Sequence, residues 1–200
     1  MGSHDVFRGG RMQKYILTVM LAASAMLAGC AGVPKGITPV QNFNAQRYLG
    51  AWYEIARLEH RQEKGLRNIT AHYRLRDDGG IDVLNRGYDP QKGEWRTAKG
   101  KAYFVKGPDV GHLKVSFYGP FYDSYIVFGL DEADYQYAYV TSSDKNSLWF
   151  LSRNPHVSEK AMDRFIKKAR ELGFATDKLV YVEQKSMDGD KAFPMHPLKN

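Results

Sequence analysis

Residues 42–57 read NFNAQRYLGAWYEIAR, and the reading of this stretch decides the fold. It begins polar and turn-like, reaches a single glycine at Gly50, and continues as a strand-like run through Trp52, Tyr53 and Ile55. A glycine two residues before a tryptophan has a physical use at the head of a strand. Lacking a Cβ, it lets the backbone turn tightly into the strand. The tryptophan then plugs the space beneath, burying roughly 150–250 Å² of ring.

Downstream the chain reads as short strands divided by turns. In residues 68–76, Ile69, Ala71, Tyr73 and Leu75 share one face, and Thr70, His72, Arg74 and Arg76 the other. That period of two is a strand with one wet side. Asp77-Asp78-Gly79-Gly80 follows, a turn whose residues tolerate positive φ. Further strands are predicted over 81–88, 94–105, 112–118, 122–130, 135–141 and 147–153, separated by Gly-, Pro- and Asp-containing turns. With the strand at Gly50 this makes eight. Regular short strands predict an all-β meander, a sandwich or a barrel; eight up-and-down antiparallel strands can close into a barrel just wide enough to hold one small ligand. Closure would also remove exposed sheet edges. After Arg153 the period changes. Asn154-Pro155 stops the strand, and Ser158 is a good N-cap. Met162, Phe165, Ile166, Ala169 and Leu172 recur at helical spacing before Gly173. One C-terminal helix of about four turns is predicted, packed outside the barrel. A short strand over 179–182 follows it.

Two hundred residues suffice for one domain with a sizeable core. Thirteen tyrosines and ten phenylalanines agree with half-buried strands. The formal charge of +7 is spread without a Lys/Arg block, so it reads as a solvated face and no nucleic-acid partner is expected. The single cysteine, Cys30, excludes an intramolecular disulfide. Its context is informative. Met12-Gln13-Lys14 is a short charged start, residues 15–26 (YILTVMLAASAM) have the length of a signal-peptide apolar region, and Leu27-Ala28-Gly29-Cys30 follows. This resembles the bacterial lipobox. The resemblance implies cleavage before Cys30, a diacylglycerol on its sulfur and an acyl chain such as palmitate on its amine. Several chains exceed the two signals that stable membrane attachment needs. Ala31, rather than Asp, implies sorting to the outer membrane, lipid-anchored and facing the periplasm. The expected divisions are an upstream and signal segment (1–29, in which 1–11 fit poorly before a signal peptide), a lipid-anchored tether (30–41), the barrel and helix (42–183), and a loose tail (184–200).

The stretch YLGAWYEIAR, with Gly50-Ala51-Trp52 inside it, resembles the lipocalin signature, and most of all that of bacterial outer-membrane lipocalins and their apolipoprotein-D-like relatives. A second match is LWFLSR, whose final residue is Arg153. The family's Thr-Asp-Tyr motif is not cleanly present: the region reads DYQYAYVTSSD, with Asp134-Tyr135 ahead of the strand, a departure that argues for an outlying branch. The resemblance spans roughly residues 42–182. It implies that Trp52 closes one end of the barrel and that Arg153 packs on the indole and bonds nearby carbonyls. It also implies small hydrophobic ligands. With a membrane anchor these would be fatty acids, lysophospholipids or phospholipids. The apolar strand faces offer Tyr73, Val83, Val115, Phe117, Tyr139 and Trp149 as lining residues. Glu54, two residues after Trp52, would face inward and need a partner.

No catalytic constellation is found. There is no Gly-x-Ser-x-Gly elbow, and no phosphate loop, since Trp95 stands where Gly100-Lys101 would require the first glycine. His60, His72 and His112 lack metal-ligand spacing and read as surface residues, so neither a metal nor another cofactor is expected. Asp77-Asp78 and Asp131-Glu132 sit in predicted turns. The expected function is therefore a non-enzymatic, membrane-anchored lipid carrier serving storage, transport or envelope maintenance. The alternatives are a structural envelope lipoprotein with a filled barrel and a lipid-modifying enzyme on the same barrel. Oligomeric state stays open.

Overall fold

The computed structural model describes residues 32–185. The signal segment, Cys30 and residues 186–200 lie outside the described residues. A short helix α1 (Ala45–Tyr48) leads into β1 (Gly50–Leu58). Then come β2 (Arg67–Leu75), β3 (Ile81–Asp89), β4 (Glu94–Phe104), β5 (His112–Ser116), β6 (Asp123–Leu130), β7 (Tyr137–Thr141) and β8 (Leu148–Ser152). The chain ends in α2 (Glu159–Glu171), a 3-10 turn (Thr176–Lys178) and β9 (Leu179–Tyr181).

Neighbours in sequence pair antiparallel from β1 to β8, and β8 pairs back with β1, so the eight strands close. The ninth lies outside the barrel, on the last three residues of β1. The predicted strands are present with ends moved by a few residues. Tyr135, expected in a strand, instead has φ 54° in the turn before β7.

Alternation along the strands sorts the apolar residues into two bodies. Trp52, Tyr73, Val83, Leu113, Val127 and Val140 point into the barrel. Ile55, Phe128, Phe150 and Leu148 point outward and are covered by Phe165, Ala161 and Ala169 of α2. Ser158 Oγ accepts from Ala161 N at 3.3 Å to start that helix, and Gly173, at φ +82°, ends it. Phe165 stacks on Phe150 with centroids 4.8 Å apart. The outer body covers one wall only, which leaves the inner space to the barrel itself.

Two stretches differ from expectation. Residues 32–43 are laid along the barrel wall instead of hanging as a tether. Ser124 Oγ donates to Gly32 O at 2.9 Å. Val40 N donates to Val127 O, and Phe43 N to Asp109 O, both at 2.8 Å. Ile37 is buried in the outer apolar body. The prolines and glycines suggested a flexible linker, but Val33, Ile37 and Val40 supply enough apolar contact to hold it down. At the other end, Gln184 and Lys185, expected in the loose tail, are tied to the barrel. Asn68 N donates to Glu183 O at 2.8 Å. Gln184 Nε2 donates to Glu54 O and Ile69 O at 2.8 and 2.9 Å.

Candidate ligand-binding cup

One end of the barrel is sealed by the residues around the turn into β1. Gly50 has φ +91°, a conformation in which a side chain is strained. The bend it permits drops Trp52 into the barrel floor, fully buried. The indole N–H donates to Tyr48 O at 2.8 Å. The Arg153 guanidinium lies 3.8 Å over the same ring. It donates to Ala51 O at 2.7 Å, Arg47 O at 2.8 Å and Leu49 O at 2.9 Å. One arginine thus ties the chain's entry into the barrel to the strand that closes it. A half-buried cation–π pair of this kind contributes about 1–2 kcal/mol.

Above the floor is a cavity of about 680 Å³, within the range of small-molecule sites. Tyr73, Val83, Val115, Phe117, Trp149 and Glu54 line it. Tyr139 does not. Its ring faces outward, 5.1 Å from Phe165 and 5.3 Å from Phe150. On β7 it is Ala138 and Val140 that point inward. The reason is parity: both faces of this strand are apolar because α2 covers the outer one, so side-chain type does not tell which face is in.

Sequence reasoning missed several lining residues. Tyr48 rises from α1, and its hydroxyl meets that of Tyr125 at 2.7 Å. The Tyr73 hydroxyl meets the same Tyr125 at 2.9 Å. Burial pushes all three phenols above their ordinary value, so they are neutral. Three hydroxyls joined by two bonds leave one O–H hydrogen over, a donor near the floor of the cup. The signal was there in YLGAW, since Tyr48 lies four residues before Trp52, but helix α1 is too short to show a period.

Higher on the wall sits a buried charged cluster. Glu54 lines the cavity, and its partner is Arg57. The backbone register shifts between Glu54 and Ala56 relative to β8. This irregularity resets the alternation and puts Arg57 on the same face as Trp52 and Glu54. Arg57 Nη1 donates to Glu54 Oε1 at 3.0 Å and Nη2 to Glu59 Oε1 at 2.8 Å. Nη2 also reaches Glu63 O at 2.9 Å. Trp149 Nε1 donates to Glu63 Oε2 at 3.2 Å, and His60 stacks on the Trp149 ring at 4.7 Å. Burial pushes the Glu54 carboxyl well up, with the Glu63 charge adding and Arg57 opposing. Burial also works against the Arg57 charge, but the surrounding glutamates outweigh it and raise its pKa.

The mouth is ringed by residues of the β1–β2, β5–β6 and β7–β8 connections, among them Gln62, Tyr118, Phe121 and Ser147. Of the other two histidines, His112 is buried, contrary to expectation, and His72 is half-buried on the barrel wall. Among the described residues no group of three or more His, Cys, Asp or Glu is placed to hold a metal ion. No helix among them is long and apolar enough to cross a membrane.

A family profile described as a lipocalin-like domain matches residues 43–184. The outer membrane lipoprotein Blc of Vibrio cholerae is 53% identical over 165 residues, covering 82% of this chain and 96% of the relative. The Blc lipoprotein of Escherichia coli K12 is 46% identical over 173 residues, 84% and 97% of the two chains. Temperature-induced lipocalin-1 of Arabidopsis thaliana is 34% identical over 154 residues, 72% and 81%. Among solved structures, insecticyanin of the tobacco hornworm Manduca sexta superposes with a TM-score of 0.60 at 18% identity, over 78% of this chain and 88% of that one. At that identity the likeness speaks for the fold alone.

Proposed function

The chain belongs to the lipocalin family, and from that premise we propose that it is a bacterial outer-membrane lipoprotein, anchored through acylated Cys30, whose cup holds one acyl lipid. Binding of small hydrophobic ligands is the family's common activity. The finer reading concerns which ligand, and it names a fatty acid or a lysophospholipid. The observation that carries it is the cavity of about 680 Å³, lined largely by apolar and aromatic side chains, with two hydrogen-bonded polar clusters facing it. The tyrosine hydroxyls lie near the floor, and the Arg57–glutamate cluster lies toward the mouth. Such a cup favours a long apolar ligand carrying oxygen at one end. A filled barrel would leave no such space. Names of relatives support the anchor and the envelope location: the Vibrio and Escherichia proteins are called outer membrane lipoproteins.

Native mass spectrometry of the protein purified without detergent, followed by organic extraction, tests this. One co-purifying acyl lipid, or stoichiometric uptake of added fatty acid or lysophospholipid, is expected. A chain that carries no lipid and takes up neither ligand would return the barrel to a structural role. Appearance of a cleaved or transferred lipid would make it an enzyme.

A further inference from the structure

Five large hydrophobic residues among the described ones stand exposed, and two far exceed the rest: Tyr118 at 76% and Phe121 at 80% of their full surface, against 39–58% for the others. Both belong to the β5–β6 connection at the open end, and both border the cavity mouth. The stretch 117–122 reads FYGPFY and has no charged residue. An uncharged aromatic tip of this kind is costly in water and suits the interface of a lipid bilayer, where amphipathic rings settle.

A second observation says what covers it. The N-terminal segment descends the wall from mouth to floor. Gly32 is bonded to Ser124, the second residue of β6 and only three residues past Phe121. Val40 lies beside Val127 midway down. Phe43 reaches Asp109, in the connection before β5 at the sealed end. The chain beyond the structure therefore departs from the rim. Only Ala31 separates Gly32 from Cys30, two Cα steps that reach about 7 Å at full extension. A lipid on Cys30 would enter the bilayer beside the aromatic rim, not at the end of a long leash.

We infer that residues 117–122 form a membrane-docking rim, and that the anchor holds the barrel mouth-down on the leaflet with Tyr118 and Phe121 in the headgroup–acyl boundary. The inference rests on acylation of Cys30. Its consequence is a route for lipid between leaflet and cup that does not cross bulk water, since the residues that touch the bilayer also line the mouth. The sealed end, with Trp52 and Arg153, then points away from the membrane.

The test uses the acylated protein in vesicles of phosphatidylethanolamine and phosphatidylglycerol that contain doxyl-labelled lipid. Acylation blocks the only native thiol, so a single added cysteine takes an environment-sensitive dye. Phe121→Cys and, as a second rim position, Tyr118→Cys are compared with Asp77→Cys in the β2–β3 turn at the sealed end. Expected is quenching at 121 and 118 several-fold above that at 77. Equal quenching at the two ends, or more at 77, overturns the inference. A dye at 121 that is shielded by dimer formation yet unquenched by lipid also overturns it, in favour of a second copy as the occupant. Flotation separates the two levels of the argument. If the protein fails to float with vesicles, and Cys30→Ser behaves the same, the anchor reading falls and the docking rim with it. If it floats but the rim stays unquenched, only the docking rim falls.

Discussion

Replacing Arg57 by methionine isolates the buried charge in the cup wall. Methionine keeps much of the apolar stem, so packing changes little. What is lost is the cation among three carboxylates. Glu59 and Glu63 are 38% and 18% exposed and can turn toward water. Glu54 is 5% exposed and cannot. It will instead take up a proton. Protonating a glutamate of ordinary pKa near 4.3 costs about 1.4 kcal/mol for each pH unit above that value, so about 4 kcal/mol at pH 7 and about 1 kcal/mol at pH 5. The former bounds what Glu54 contributes to the loss and agrees with the 3–5 kcal/mol typical of a broken buried pair. The sign follows from linkage. The folded pKa of Glu54 is raised above its unfolded value, so stability is fullest below about pH 4.3 and falls as pH rises toward the folded pKa. Removing Arg57 steepens that fall. Urea unfolding followed by tryptophan fluorescence at pH 5 and pH 7.5 should show Arg57→Met losing up to about 3 kcal/mol more at the higher pH. Adding Glu54→Gln should restore most of the difference. A deficit independent of pH, or one that Glu54→Gln does not relieve, would refute the account of Glu54 as the trapped charge.

Trp52→Ala should cost about 3–5 kcal/mol, read as a lowered thermal midpoint, because it opens a cavity under the Arg153 guanidinium. Val83→Trp should fill the cup and abolish uptake of a fluorescent fatty acid, with a stability change of only about 1–3 kcal/mol. Tyr139→Ala should do the reverse, lowering stability by about 3–5 kcal/mol through its contacts with Phe165 and Phe150 while leaving fatty-acid affinity within two-fold, roughly. Hydrogen exchange should find the Val40 amide protected to the level of the barrel strands, since it donates to Val127 O, and Ile37→Asp should remove that protection.

The strands, the outer helix and the bend into β1 were legible in the sequence because each rests on short-range pattern, whereas barrel closure and the packing of Arg153 on Trp52 were expected only through the family resemblance. Alternation in 68–76 marks a strand whatever it pairs with, and Gly50 two residues before Trp52 describes a bend and a plug within one turn of chain. Ser158 and Gly173 bracket a helix by their own backbone chemistry. These are properties of neighbours along the chain, and a sequence lists neighbours along the chain. What tertiary structure decided was every question of which side. Tyr139 and Val140 are both apolar, and only the presence of α2 on the outer wall sends the tyrosine out. Arg57 faces in because a register shift beyond Glu54 resets the parity of β1, and that shift exists only against β8. Residues 32–43 carry the composition of a linker and become part of the wall because Val127 and Asp109 offer carbonyls, and Gly111 an amide, at the right places. Local conformation is set by the few kcal/mol of nearby backbone and side-chain preference. The direction a side chain faces is set by contacts between residues distant in the sequence, which exist only once the barrel has closed.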